Sequence, residues 1–544
     1  MDHWNVVRKA EWLRRELLKA KADIWLNSFG CGAILDKAKV VGVIVATPYS
    51  RGVVRAKTVI DATGNSDIAD CAGAETQFGV APNGLLSVQL AGYPHRNLGD
   101  NVNNTCFALV DDTSVVDIGH LMAWCRNHEN KANPYDFGQL LDSRERRRIV
   151  ADFMLTTPDI LNHRSFPDTV SQHKSNFDAA AFPTSPMLLV KDMKGPAFEV
   201  DLPYRSLLPK GLDGLLVTGL GAGAERDAMT LVRMQADVQN QGYAAGAAAA
   251  MAAANGGHTR EIDVKKLQRL LVDKGVLSER VLTDRDSYPM SREIVEQSVA
   301  AVGSLGCEIK QSRTVEDSAI FNLAVVMAHP GQALPLLRQA HGASLDGATK
   351  LTYAKILGIL GDTAGAATLV AAVQGAKTWD KGFGLTSHRE SDNTFSELDR
   401  LVIALGTSGA PDGLEAIVAK IRQLAPDGEV SHVIAASLAL RHYGRVESAA
   451  EPLARLLKTP GFAGHALTEA GDRNPGGEAE RDIATTKPDT NLNAAFKELL
   501  VAGMLVQCGD NQGMGHCVLE QYGRGVEGHF ARYAREFCRQ IPQR

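Results

Sequence analysis

The chemistry-bearing residues begin at Thr58–Gly64, which reads T-V-I-D-A-T-G. Val59 and Ile60 read as a buried strand that runs into a tight Ala62-Thr63-Gly64 turn. In nucleotide-binding α/β folds such a turn lies against a dinucleotide. A second segment of the same character comes later: a strand at Gly214–Thr218, then the loop Gly219–Arg226 (GLGAGAER), then a long small-residue helix at Val232–Ala254. This order aims the positive end of the helix at a bound group on which negative charge develops. Only 57 residues precede Thr58, and they contain no G-x-G-x-x-G. The loop that cradles the pyrophosphate in a first βαβ unit is therefore absent from them. The expectation is a chain that begins partway through its dinucleotide domain.

Candidates for proton transfer are His163, His173 and Tyr204, with Arg164 and Arg205 as anion binders. Each has a plainer reading as a surface residue or a hydrogen-bonded core residue. The sequence has no H-E-x-x-H, Walker A, G-x-S-x-G or EF-hand pattern. Its eight cysteines are scattered, without C-x-x-C and without histidines at zinc spacing, so no metal site is expected. Small buried side chains are their expected role. That scatter favours a reducing, cytoplasmic compartment.

The elements that must position these residues fall into two halves. The first 25 residues read as an amphipathic helix ending in a strand, with no apolar signal-peptide core. Asp23–Phe29 looks extended. Ala33–Leu35 and Val40–Ala46 flank a hairpin turn at Asp36–Lys39, and Val53–Ile60 reads as the strand entering the A-T-G turn. Ser143–Leu155 (SRERRRIVADFML) reads as a charged helix whose Arg144, Arg146, Arg147 and Arg148 form either a solvated face or an anion-facing surface. From about Ser291 the pattern becomes apolar helix, Gly-containing turn, apolar helix. It occurs at Ala354–Val373, Arg400–Ile421, Ala436–Leu457 and Leu499–Tyr522, with turn glycines Gly361, Gly409, Gly444 and Gly509. Their irregular spacing suits HEAT-like α-hairpins with insertions. Leu467–Asn491 reads as an exposed insertion loop.

Composition excludes several classes. At 44% hydrophobic and 22% charged, the chain is ordinary for a soluble protein. A net charge of −5 without a basic stretch argues against nucleic acid as a partner. The most apolar run, Tyr243–Ala254, is too short to span a bilayer, so no membrane association is expected.

Five ordered stretches carry a family resemblance: Val59–Glu75, Ser143–Leu155, Phe166–Asp178, Leu202–Gly219 and Arg233–Ala252. With them the chain resembles the FAD-dependent oxidoreductases whose members carry a C-terminal HEAT-like extension. The implied fold is α/β: an incomplete FAD/NAD(P)-binding Rossmann-like domain with an inserted α+β substrate domain, followed by an all-α HEAT-like region. The implied partition is 1–83 and 203–285 for the FAD-binding domain, 84–202 for the insert and 290–544 for the helical region. The resemblance implies that Ala62, Thr63 and Gly64 line the adenosine-side wall and that Gly219 meets the ribityl chain. It puts Arg233, Met234 and Gln235 near the isoalloxazine, with Gly242, Ala245 and Gly246 allowing close packing beneath it. The sequence departs from the family in lacking the phosphate loop, the acidic residue for the adenosine ribose, and a histidine after Asp178. The implied activity is hydride transfer from a small polar substrate, with FAD held weakly or not at all by this chain alone. Two other readings stand beside it: a cofactor-free scaffold that binds a protein partner through its helices, and one subunit of a split flavoenzyme.

Overall fold

In the computed structural model, the described residues are 6–78, 90–96, 102–109, 111, 113–119, 142–143, 146–177, 183–191, 197–304, 319–385, 394–467 and 490–540. Most of the expected loop at Leu467–Asn491, and the segment after Phe177, lie outside them.

The N-terminal helix spans Val6–Lys19 and is followed by an antiparallel meander of β1 (Phe29–Asp36), β2 (Lys39–Ala46) and β3 (Arg51–Arg55). Residues 22–28 are not strand; pairing starts at Phe29, opposite Ala46. The expected hairpin forms, with Lys37 at φ 54° in its turn. The strand read as Val53–Ile60 is two strands, β3 and β4 (Val59–Asp61), separated by residues 56–58.

β5 (Thr76–Gln77), β6 (Leu90–Arg96), β7 (Val102–Ala108), β8 (Asp142–Ser143) and β9 (Arg148–Ile149) follow as short antiparallel pairs. The charged helix expected at Ser143–Leu155 does not form: Arg148 and Ile149 pair with β5 instead. Tertiary contacts override the helical pattern here. Arg147 reaches Asp67 and Asp70, and Arg148, 2% exposed, donates from Nε to Ala224 O at 3.0 Å. These two arginines therefore brace the loops around them.

β10 (Thr169–Ser175) and β11 (Phe198–Pro203) form an antiparallel pair, and β12 (Leu215–Val217) runs parallel to β4, with Val59 opposite Leu215 and Asp61 opposite Val217. The start of β12 is tied to the meander by Val40 N–H to Asp213 O and Asp213 N–H to Ala38 O, both 2.9 Å. Val40, Val59, Ile68, Ile149, Leu215 and Val217 fill a small core around this junction. Beyond β12 the helix expected at Val232–Ala254 forms as Gln235–Ala254, and a short helix, Arg226–Val232, precedes it. The break falls at Met234, whose extended φ −68°, ψ 138° starts the second helix afresh.

The C-terminal half is helical, and its pairs fall where the periodicity places them. Gly347–Ile359 is followed by Ala366–Gly375, Glu397–Thr407 by Gly413–Ile421, Val430–Leu440 by Glu447–Lys458, and Thr490–Cys508 by Met514–Arg524. The turn glycines Gly361, Gly409, Gly444 and Gly509 all have positive φ, the conformation that stops a helix without a Cβ penalty. A larger core runs without interruption from Leu155 and Phe166 through β10 and β11 into these helices. Helix Ala319–Ala328 packs on Thr157–Leu161, and Gly347–Ile359 packs on Pro186–Val190. Among the described residues no single helix is long and apolar enough to cross a membrane.

Candidate functional site

The two parallel strands end at one edge, and each runs into a tight loop. After β4, the loop is organised by the buried Asp61 carboxylate. Its Oδ1 accepts from Thr63 N–H at 3.0 Å and Thr63 Oγ1–H at 2.7 Å, and its Oδ2 accepts from Ile68 N–H at 2.9 Å and Ala69 N–H at 3.0 Å. One carboxylate thus fastens both the A-T-G turn and the start of the following helix, satisfying backbone donors that would otherwise be orphaned. Ala62 and Thr63 are exposed, and Gly64 sits at φ 74° with open space where a Cβ would point.

After β12, Gly219 takes φ 68° and its N–H donates to Gln241 Oε1. A Cβ on Gly221 would lie 2.4 Å from Ser66 Oγ. Ser66 Oγ lies 3.2 Å from Gly221 O and 3.1 Å from Arg147 O, donating between them. The structure therefore brings Ala62–Gly64 and Gly219 to one edge and stitches their loops together. Arg233 and Met234 occupy the break between the two helices, and Gln235 accepts from Lys9 Nζ at 3.4 Å. Ala245 is in the core, whereas Gly242 and Gly246 lie on the opposite, open face of their helix with nothing within 4 Å of an added Cβ.

The proton-transfer candidates separate in space. Tyr204 is buried, its hydroxyl donates to Thr259 O at 2.7 Å, and burial pushes its ionisation well above the ordinary phenol range. Its proton is committed to the fold. Arg205 clasps Asp168 through Nε and Nη2 at 3.0 and 3.1 Å. Arg164 pairs with Asp159 and Asp286 and lies over the rings of Phe153, Phe166 and Tyr288. Both guanidiniums are engaged within the protein. His163, at φ 54°, borders a cleft of about 230 Å³ whose charged walls are paired internally, Arg164 with Asp159 and Arg280 with Asp201. His173 on β10 is fully buried and neutral, since burial lowers its pKa to about 3. Neither ring nitrogen has a hydrogen-bond partner, and the nearest carboxylate, Asp237, is 3.9 Å away. Among the described residues no group of three or more His, Cys, Asp or Glu is placed to hold a metal ion.

Sequence reasoning missed Glu225, at the end of the GLGAGAER loop. It occupies the N-cap position of Arg226–Val232, yet its side chain does not cap that helix. Its carboxyl accepts from Thr157 N–H at 3.3 Å and borders a cleft of about 240 Å³. Burial raises its pKa to about 7, with Asp227 and Asp159 adding to the rise and Arg148 and the Thr157 N–H opposing it. The available signal was an acidic residue between a Gly-rich loop and an apolar helix, a place where a carboxylate is desolvated as the helix packs down.

Residues 7–124 and 116–271 match the model of a family described as FAD dependent oxidoreductase. Within the matched part the chain is similar to that family, whose description names FAD and oxidoreductase activity, and is consistent with an α/β fold. No curated protein and no solved structure matches the chain.

Proposed function

We propose that the N-terminal half contributes one wall of an FAD site in an oxidoreductase that takes hydride from a small polar substrate. The observation that carries this reading is the paired strand end: β4 and β12 run parallel, stop together, and turn through Gly64 and Gly219 at positive φ. In open α/β sheets ligands bind outside the carboxyl ends of parallel strands. The residues present fit such a wall. Gly64, Gly242 and Gly246 leave open space where side chains would intrude, and Gln241 Nε2 is fully buried without a hydrogen-bond partner. On this reading Ala62–Gly64 and Gly219 line the cofactor, and Arg233, Met234 and Gln235 border it. Bound flavin supplies the hydride acceptor; the chain supplies position, exclusion of water and proton exchange. Residues 1–83 and 203–285 would form the cofactor wall, and 84–202 the substrate-facing insert. Residues 290–544 would be a HEAT-like array that braces the insert and offers a surface to a protein partner.

The first 57 residues carry no G-x-G-x-x-G, so this chain alone is expected to bind FAD weakly. Titration followed by flavin fluorescence tests this. Weak, saturable binding that is lost in Gly219→Val supports the reading. Tight stoichiometric binding would show that other residues of this chain supply the phosphate donors. A folded protein that binds no flavin favours the second reading, a cofactor-free scaffold. The core shared by the insert and the helices suits that reading too. Binding restored only by a separate βαβ-bearing chain would identify a split enzyme.

A further inference from the structure

The Glu225 cleft opens at the end of the loop that follows β12, and charged groups wall it. Arg148 is 2% exposed and Asp227 1%. Asp227 accepts from the N–H groups of Thr184 and Ser185 at 2.7 and 2.6 Å and pairs with Arg226 at 3.1 Å. Gln77, Met154 and Pro186 complete the lining.

Three observations point to what such a space holds. First, Ser185 is 5% exposed and lines the cleft, yet its Oγ has no hydrogen-bond partner and does not cap the helix it precedes. A buried hydroxyl left unpaired carries its desolvation penalty in full, which a ligand hydroxyl would offset. Second, Glu225 has one main-chain donor and otherwise faces the cleft, so its carboxyl has acceptor capacity left. Third, the charged groups of the lining are already engaged within the protein, Arg226 with Asp227 at 3.1 Å and Arg148 with Ala224 O, while burial favours the neutral form of Glu225. A charged ligand would enter this space uncompensated, at the high cost of a buried unpaired ion. A neutral one would not. At about 240 Å³ the cleft has the volume of about eight waters, enough for a compact molecule of monosaccharide size.

We propose that this cleft binds a small, neutral, polyhydroxylated molecule, with Glu225 accepting from one of its hydroxyls and Ser185 Oγ bonding to another. This names the substrate class for the oxidoreductase reading above and rests on it for its metabolic meaning; the binding itself needs no flavin.

The test uses the full-length protein without added FAD and myo-inositol as the probe, followed by ligand-observed NMR and calorimetry. Saturable binding is expected. Glu225→Ala should weaken it about tenfold or more, the loss of one charge-assisted hydrogen bond. Ser185→Ala, which removes an unpaired hydroxyl and so leaves folding intact, should weaken it severalfold. Glycolate and ethanolamine, which carry opposite charges, should bind more weakly than the neutral probe. The proposal is overturned if neither myo-inositol nor erythritol binds the folded protein, if Glu225→Ala binds as well as the parent, or if a charged probe binds best. Because FAD titration is a separate measurement, a failure of the flavin reading leaves this outcome legible, and the reverse holds too.

Discussion

The helix crossings of the C-terminal half and the helix Gln235–Ala254 use glycine in opposite ways. In the helices, Gly358, Gly365 and Gly406 lie at close crossings. A Cβ on Gly358 would meet Ala404 O at 2.5 Å, and one on Gly406 would meet Ala439 Cα at 2.2 Å. Each such glycine is consumed by a neighbouring helix. In Gln235–Ala254, Gly242 and Gly246 meet nothing within 4 Å. Buried polar atoms without partners occur in both halves, Arg441 Nε and Nη2 among the helices. Among the described residues of the α/β half, Ser171 Oγ, both His173 nitrogens, Ser185 Oγ, Gln241 Nε2 and Gln268 Oε1 lack hydrogen-bond partners. Native interiors rarely leave such groups unpaired. The helix crossings at Gly358 and Gly406 are closed by their own packing, whereas helix Gln235–Ala254 presents an open glycine face beside the buried, unpaired Gln241 Nε2.

Five substitutions break or sharpen this contrast. The largest effect is expected at Gly406→Val, where backbone blocks any side chain. The helical half should lose about 3 kcal/mol or more, the upper range for overpacking, read as a lowered midpoint in chemical denaturation. Next is Arg164→Ala, which strips partners from Asp159 and Asp286 and removes a guanidinium lodged among three rings. A loss of about 3 kcal/mol is expected, as for half of a buried ion pair. A negligible change there would mean that the insert does not depend on its ionic brace.

The third concerns Glu225. Its folded pKa is raised from 4.5 to about 7, so the folded state holds the proton more tightly than the unfolded chain. The stabilisation from that proton is complete below the ordinary glutamate range and is lost as pH rises through about 7. Glu225→Gln should match the parent in acid and exceed it by on the order of 1–3 kcal/mol above neutrality. Equal stability at both ends of the range would show that the carboxyl is not desolvated. The smallest effect is expected at Gly242→Ala and Gly246→Ala, each stabilising by about 0.5–1 kcal/mol through helix propensity alone. Destabilisation would show that the face is not open. Stabilisation accompanied by weaker FAD binding would place the cofactor against it.

The helical pairs were legible because their signals are local. Apolar spacing sets the helices, and a glycine at positive φ ends each first member at Gly361, Gly409, Gly444 and Gly509. The β1–β2 hairpin and the two strand-to-glycine turns were legible for the same reason. Ser143–Leu155 was misread because its arginines look like a solvated helix face, whereas Arg147 and Arg148 are held by Asp67, Asp70 and Ala224. Those partners lie about 80 residues away in either direction, beyond any local pattern. The helix expected at Val232–Ala254 starts three residues later, after the extended Met234, and the short helix Arg226–Val232 before it has no signal in the local pattern.

The sequence by itself determined the helix pairs of the C-terminal half, the β1–β2 hairpin, the two glycine turns, and the family model that residues 7–271 match, since all of these are carried by short-range residue order. Only the tertiary structure decided that Tyr204, Arg164 and Arg205 are spent on internal partners, that His173 is sealed in neutral, and that Glu225 stands desolvated beside an unpaired serine. Burial and charge partnership belong to the surroundings of a side chain, and those surroundings are assembled from segments that the sequence keeps far apart.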